Sequence, residues 1–216
     1  MKNYALPIHY NRIAVSIFFI VFLSLFLVSC EKEETMTEVE SYEMTVYDVL
    51  EANTKKADAS KKKGAPAPGD DPIAAIAIEA GFDELVDALF YVDEELDAGL
   101  VELFLNGTDQ YTVFAPTDEA FENLYIALGI DSTRDLPAEL VLNVLLYHVT
   151  EGRRASNSVV PPKNYRSIET LLGESFSVNP EKKITAIGST ADIVIPNISA
   201  SNGIIHVINA VLLPIE

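Results

Sequence analysis

Two histidines, His148 and His206, stand downstream of residue 30, and each lies inside an apolar run, in LLYHV (145–149) and IIHVI (204–208). An imidazole that works as a general base or a metal ligand must meet solvent or substrate. One flanked by apolar residues on both sides reads as a hydrogen-bonded core group, and that is the reading these runs support. No HExxH stretch occurs, and two distant histidines without cysteine partners make no zinc site. Ser156, Ser158 and Ser201 fall in loop-like sequence, but none sits in a GxSxG elbow that would expose a nucleophile. Gly-rich phosphate cradles are missing as well. The sequence therefore assigns no catalytic residue, no metal ligand and no cofactor.

Carboxylates are the other chemistry-bearing group. Asp83, Glu84, Asp87, Asp93, Glu94, Glu95, Asp97 and Glu102 crowd one stretch with no Lys or Arg among them. Calcium takes six to eight oxygens, yet an EF-hand loop started at Asp93 would place Ala98 at the turn glycine and Phe104 at the final glutamate. The stretch reads instead as a solvated helical face. Across all 216 residues, 15 Lys and Arg oppose 33 Asp and Glu, a formal charge of −18. That balance excludes a nucleic-acid binder, which needs a basic face for phosphate, and excludes docking on anionic lipid by charge.

Cys30 is the single cysteine, so no intramolecular disulfide framework exists. It follows a basic start, with Lys2 and Arg12, and the apolar run IAVSIFFIVFLSLFLV at 13–28. That run would reach ~24 Å as a helix, short of the ~30 Å hydrocarbon core, and so reads as a cleaved signal peptide over 1–29. LVSC at 27–30 resembles the lipobox of bacterial lipoproteins, which implies a diacylglyceryl group on the Cys30 thiol. CEKEE at 30–34 is similar to the acidic, lysine-containing signal some Gram-negative lipoproteins carry for outward display. The expected location is the cell envelope, tethered by lipid to the outer membrane.

Residues 30–71 lack sustained periodicity and run through acids, a lysine cluster at 55–63 and GAPAPGDD, the composition of a flexible tether. A folded domain is expected over 72–216. Asp71 and Pro72 suit a helix start, and Phe82, Leu85, Val86, Leu89 and Phe90 recur at helical spacing. YTVFAP (111–116) reads as a strand stopped by proline, and Thr117 as the cap of a helix with inner face Phe121, Leu124, Tyr125 and Leu128, ended by Gly129. Pro137 opens a further apolar helix; after Gly152 come short strands, FSVN, KITAI, ADIVIPN and GIIHVINAVLLP. Helices first and strands later predict an α+β fold with a mostly antiparallel sheet or sandwich.

YTVFAPTDEAF (111–121) and NGIIHVINAVLLP (202–214), with LYHV at 146–149 and LLG at 171–173 between them, together resemble the fasciclin, or FAS1, domain. The resemblance spans about residues 72–216, one repeat, and rests on Thr112, Phe114, Pro116, Thr117, Phe121, Asn202, Gly203, His206, Leu213 and Pro214. Asn209 stands where that family usually has Asp, and no arginine-glycine-aspartate tripeptide occurs. The resemblance implies a wedge-shaped β-sandwich flanked by helices, with Tyr147 and His148 as a recognition edge. A buried hydrogen-bond network joining Thr117 to His206 is also expected. The function expected is a lipid-anchored extracytoplasmic binding module, adhesive toward a protein or glycan partner. The alternative is a carrier of an apolar small molecule, and an enzyme comes third.

Overall fold

The computed structural model describes residues 66–215; the expected signal peptide, Cys30 and the tether as far as residue 65 lie outside the described residues. Three helices open the fold: α1 (Ile73–Glu79), α2 (Asp83–Leu96) and α3 (Leu100–Asn106). The buried stripe of α2 is Leu85, Ala88, Leu89 and Val92, spaced i, i+3, i+4, i+7. Phe90, expected inward, is 44% exposed. Ala88 and Val92 are fully buried instead, because small side chains allow close approach of neighbouring helices.

Strand β1 (Tyr111–Pro116) leads through Thr117 into α4 (Asp118–Leu128), a 3-10 turn (Thr133–Asp135) and α5 (Ala138–Tyr147). Thr117 caps α4 as expected, its Oγ1 accepting from the Ala120 N–H at 3.3 Å, and Gly129 closes that helix in the left-handed region. Phe121 and Tyr125 face inward, but Leu128 is 51% exposed on the last turn. The rest is strand-rich: β2 (Val149–Glu151), a short helix α6 (Ser156–Val159), β3 (Arg166–Glu169), β4 (Ser175–Val178), β5 (Lys183–Thr185), β6 (Thr190–Ala200) and β7 (Gly203–Ile208).

The seven strands form one sheet in the order β2-β1-β7-β6-β5-β4-β3. All pairs are antiparallel except β1–β7, which run parallel with Phe114 opposite His206. The two most motif-like segments of the sequence are thus central neighbours. Strand β6 accommodates Pro196 because its register with β7 shifts between Ile193 and Ile195 and again between Ile195 and Ile198. Such bulges bend a strand and tolerate the missing N–H. The sheet therefore folds over, and its edges approach: the Leu171 N–H donates to the Val149 carbonyl at 2.8 Å, and Thr150 Oγ1 to the Glu169 carbonyl at 2.6 Å. Edge strands are left with few free groups, which guards against unwanted pairing.

Two apolar cores result from the alternation of strand side chains. Val113, Ala115, Ile205 and Val207 pack with the helices. Phe114 and Ile208 point the other way and pack with Tyr147, Ile168, Phe176 and Ile184 inside the folded sheet. All six residues of β7 are buried, which accounts for its continuous apolar run. The α+β class and the sandwich-like enclosure agree with the expectation, although the last strand ends at Ile208 and residues 209–215 continue without regular structure.

The domain edge also differs. The Gly69 N–H bonds the Ala200 carbonyl (3.2 Å) and the Ser201 N–H bonds the Asp71 carbonyl (2.7 Å), so residues 66–71 lie on the β6–β7 hairpin instead of belonging to a free tether.

Candidate functional site

His148 ends α5, and its ring is fully enclosed. Its Nδ1–H donates to the Val144 carbonyl (2.7 Å), while Nε2 accepts from the Leu212 N–H (2.9 Å), fastening the C-terminal segment to the helix end. His206 has the other tautomer: Nε2–H donates to the Arg154 carbonyl (2.9 Å) and Nδ1 accepts from the Asn197 N–H (3.2 Å). Asn197 is the left-handed residue of the β6 bulge, at φ 69°, so His206 holds that irregular backbone in place. Burial pushes both imidazoles down to about 4, and they are neutral at physiological pH. With both ring nitrogens occupied on each, neither has an atom free for substrate or metal.

The expected recognition edge is corrected by the same geometry. Tyr147 is 0% and His148 3% exposed. Tyr147 is turned into the inner core against Phe176 and donates its hydroxyl to the Ser175 carbonyl (3.1 Å). Neither side chain meets an incoming partner. The expected Thr117–His206 network is corrected too, since Thr117 Oγ1 takes the Ala120 N–H and His206 takes the partners above.

The remaining motif residues hold backbone. Thr112 donates to the Gly152 carbonyl (2.6 Å) and accepts from the Arg154 N–H (2.8 Å). Phe114 stacks edge-on against Phe176 at 4.9 Å, beside the His206 ring. Asn202 is buried, its Oδ1 accepting from the Ile73 N–H (2.8 Å) and its Nδ2 donating to the Phe104 carbonyl (3.0 Å). It thus caps α1 from the far end of the domain, where Asp71 was expected to do so; α1 has no side-chain cap from its own N-terminus. Glycine is required at 203 because a Cβ there would stand 2.6 Å from Ile73 Cδ1 and closer still to the Tyr111 carbonyl oxygen. The Leu213 N–H donates to Ser189 Oγ (2.9 Å), and Pro214 is half-buried beyond it. Asn209 accepts from the Asp192 N–H at 2.7 Å, a bond that needs an oxygen but no charge.

The acidic helix has a partner that the local sequence does not contain. Arg134 reaches from the 3-10 turn to Asp87 and Glu94, each at 2.9 Å, and lies over the Tyr91 ring. Asp93 is engaged as well, accepting from the N–H groups of Leu100 and Val101 at 2.8 Å and so capping α3. Glu84 accepts from the Tyr125 hydroxyl (2.6 Å), and burial with that bond pushes the phenol up to about 12. Among the described residues no three His, Cys, Asp or Glu converge as a metal site would require.

Beneath this face lies an apolar cavity of about 150 Å³. It is walled by Leu85 and Ala88 of α2, Phe121 and Leu124 of α4, Val141 and Val144 of α5, and the segment Val211, Leu213 and Ile215. Leu128 and Ile215, both more than half exposed, also line it. Sequence periodicity placed Leu128 inside, and the lip of this cavity is where it goes.

Arg153 escaped sequence reasoning altogether. Its guanidinium donates to the carbonyls of Pro66 (3.3 Å), Ala67 (3.1 Å), Ala200 (2.8 Å) and Gly203, and to Ser199 Oγ. With a further bond to Gln110 Oε1 (3.3 Å), it stitches the incoming chain to the β6–β7 hairpin through six acceptors, four of them backbone carbonyls, so no local residue-type pattern announces it.

A fasciclin-domain family model matches residues 82–214. The chain belongs to the fasciclin-domain family. Proteins of this family are typically adhesive or surface-associated and generally non-enzymatic. Among relatives, Immunogenic protein MPB70 of Mycobacterium bovis is 35% identical over 105 residues, 49% of this chain and 50% of that protein. Cell surface glycolipoprotein MPB83 of the same species is 33% identical over 120 residues, covering 56% and 47%. Transforming growth factor-beta-induced protein ig-h3 of Sus scrofa is 33% identical over 117 residues, covering 54% of this chain and 16% of the relative. The chain spans about half the length of these two mycobacterial relatives. Among solved structures, a FAS1 domain pair from the insect cell adhesion molecule fasciclin I aligns with a TM-score of 0.43 and 16% identity, over 60% of this chain and 45% of that one. The fasciclin motifs in this chain are thus devices for joining strands, caps and hairpins, and its exposed chemistry lies elsewhere.

Proposed function

We propose that this fasciclin-domain protein is a non-enzymatic contact module of the cell envelope, anchored by lipid on Cys30 and binding a protein or glycan surface through the face carried by α2, α4 and the C-terminal segment. The observation that carries the reading is Leu128 and Ile215, 51% and 53% exposed, both at the lip of an apolar cavity beside the acidic helix α2. Exposed apolar groups rimmed by polar ones mark interaction surfaces. Relatives described as a cell-surface glycolipoprotein and a growth-factor-induced protein support an envelope or extracellular setting.

Cells bearing the chain with Leu128→Ser and Ile215→Ser are expected to hold about tenfold less on a panel of immobilised proteins and glycans, the scale of losing apolar anchors. The thermal midpoint should barely move, because exposed substitutions away from special features cost within about 0.5 kcal/mol. Unchanged retention, or no retention by the parent chain, refutes the reading.

Lipidation has its own test. Two or three acyl chains at about 0.8 kcal/mol per buried methylene hold a protein stably on a bilayer. Labelled fatty acid is expected to enter the parent chain and to vanish completely from Cys30→Ser. A mature chain without lipid would remove the anchor from the proposal.

A further inference from the structure

The cavity between α2, α4 and α5 has a chemistry that goes beyond surface contact. At about 150 Å³ it has the size at which an engineered apolar cavity stays dry and takes up benzene. Three of its lining residues carry polar side-chain groups, Tyr125, Thr133 and His148. The Tyr125 hydroxyl is shared between Glu84 and Thr133 at 2.6 Å each, and both His148 nitrogens are bonded to backbone. A guest is therefore offered no free side-chain donor, and Thr133 Oγ1 alone keeps spare lone pairs, so a polar group placed inside would lose its water with little compensation. The interior selects hydrocarbon.

The surroundings select what that hydrocarbon is attached to. The helices α2, α4 and α5 and the 3-10 turn carry eleven Asp and Glu residues and one base, Arg134, which is held by Asp87 and Glu94. The C-terminal wall, 211–215, carries no charge of its own. Leu128 and Ile215 are exposed lining residues, so a head group left at the mouth lies in the summed negative field of these helices. We propose that the cavity binds the short apolar end group of a neutral or cationic small amphiphile and discriminates against fatty-acid anions.

The chain from residue 31 onward holds every described element and both cores, and serves as the test protein. Methyl NMR at low salt with hexylammonium, 1-hexanol and hexanoate supplies the probes. Saturable shifts are expected at Ala88, Val141, Val144 and Leu145 with the first two, and about tenfold weaker binding of hexanoate. The difference should narrow as salt screens the carboxylates. Val144→Phe, which fills the cavity, should abolish the shifts; Leu140→Phe, from the next turn of the same wall, does the same if the first variant folds poorly. Absence of saturable shifts overturns the proposal, as do shifts that persist in a folded filling variant, and so does hexanoate binding as tightly as hexylammonium. The contact reading is untouched by these outcomes, since its Leu128 and Ile215 variants are read by retention on surfaces.

Discussion

Acidification from pH 7 to pH 4 is expected to remove about 6 kcal/mol of folding stability through two side chains alone, His148 and His206. Both are neutral in the folded protein because burial pushes them from 6.5 down to about 4. The unfolded chain binds a proton on each as pH falls through 6.5, whereas the folded chain does so only near 4. In that window the unfolded state holds more protons, so stability rises with pH and falls with acid. The contribution is complete above about pH 6.5 and gone below about 4, at ~1.4 kcal/mol per pH unit per histidine in between. Domains of this size keep about 5–15 kcal/mol in total, so the loss is enough to unfold a marginal one. Urea unfolding at pH 7.5, 6 and 5 reads it directly. His206→Gln should lower stability at pH 7.5, because a glutamine cannot reach both the Asn197 N–H and the Arg154 carbonyl as the ring does, and should halve the acid slope. A stability flat from pH 7 to 5 would sink the argument.

The second large effect belongs to Asn202. Its amide satisfies the Ile73 N–H and the Phe104 carbonyl, both on residues less than 6% exposed. Asn202→Ala would orphan one buried donor and one buried acceptor, at about 1–3 kcal/mol each. A loss of about 2–6 kcal/mol is expected, seen as a lower urea midpoint with an unchanged slope. Asp71→Ala is the paired measurement. Asp71 is exposed and supplies α1 with no side-chain cap, so its removal should cost within about 0.5 kcal/mol. Equal effects at the two positions would return the cap to the local residue and contradict the geometry.

That pair also marks how far the sequence could be read. Thr117 was legible as a cap because its partner, Ala120, is three residues away and the local pattern encodes the bond. Asn202 was legible only as part of a family motif, because its partners lie 129 and 98 residues distant. Phe90 and Leu128 were assigned inward by spacing; periodicity fixes which residues share a face and leaves open where a helix face ends. Strands β2 and β3 did not stand out because β2 (VTE) runs straight on from the apolar helix α5 and β3 (RSIE) buries a single residue, Ile168. Arg153 gave no signal, since carbonyl acceptors are the same for every residue type.

By itself, the sequence determined the properties set by composition and short-range order: an acidic chain with one cysteine after an apolar run at 13–28, helices before strands, and two histidines embedded in apolar runs. Burial of those histidines was already implied, because polar neighbours were absent on both sides. Tertiary structure decided their work. Folding the sheet at the β6 bulges set His206 against Asn197, and returning the C-terminal segment set Leu212 against His148. It also left an apolar cavity among helices and the C-terminal segment, lined by residues scattered from 85 to 215. Such features are properties of volumes enclosed between elements, and no stretch of chain short enough to read contains one.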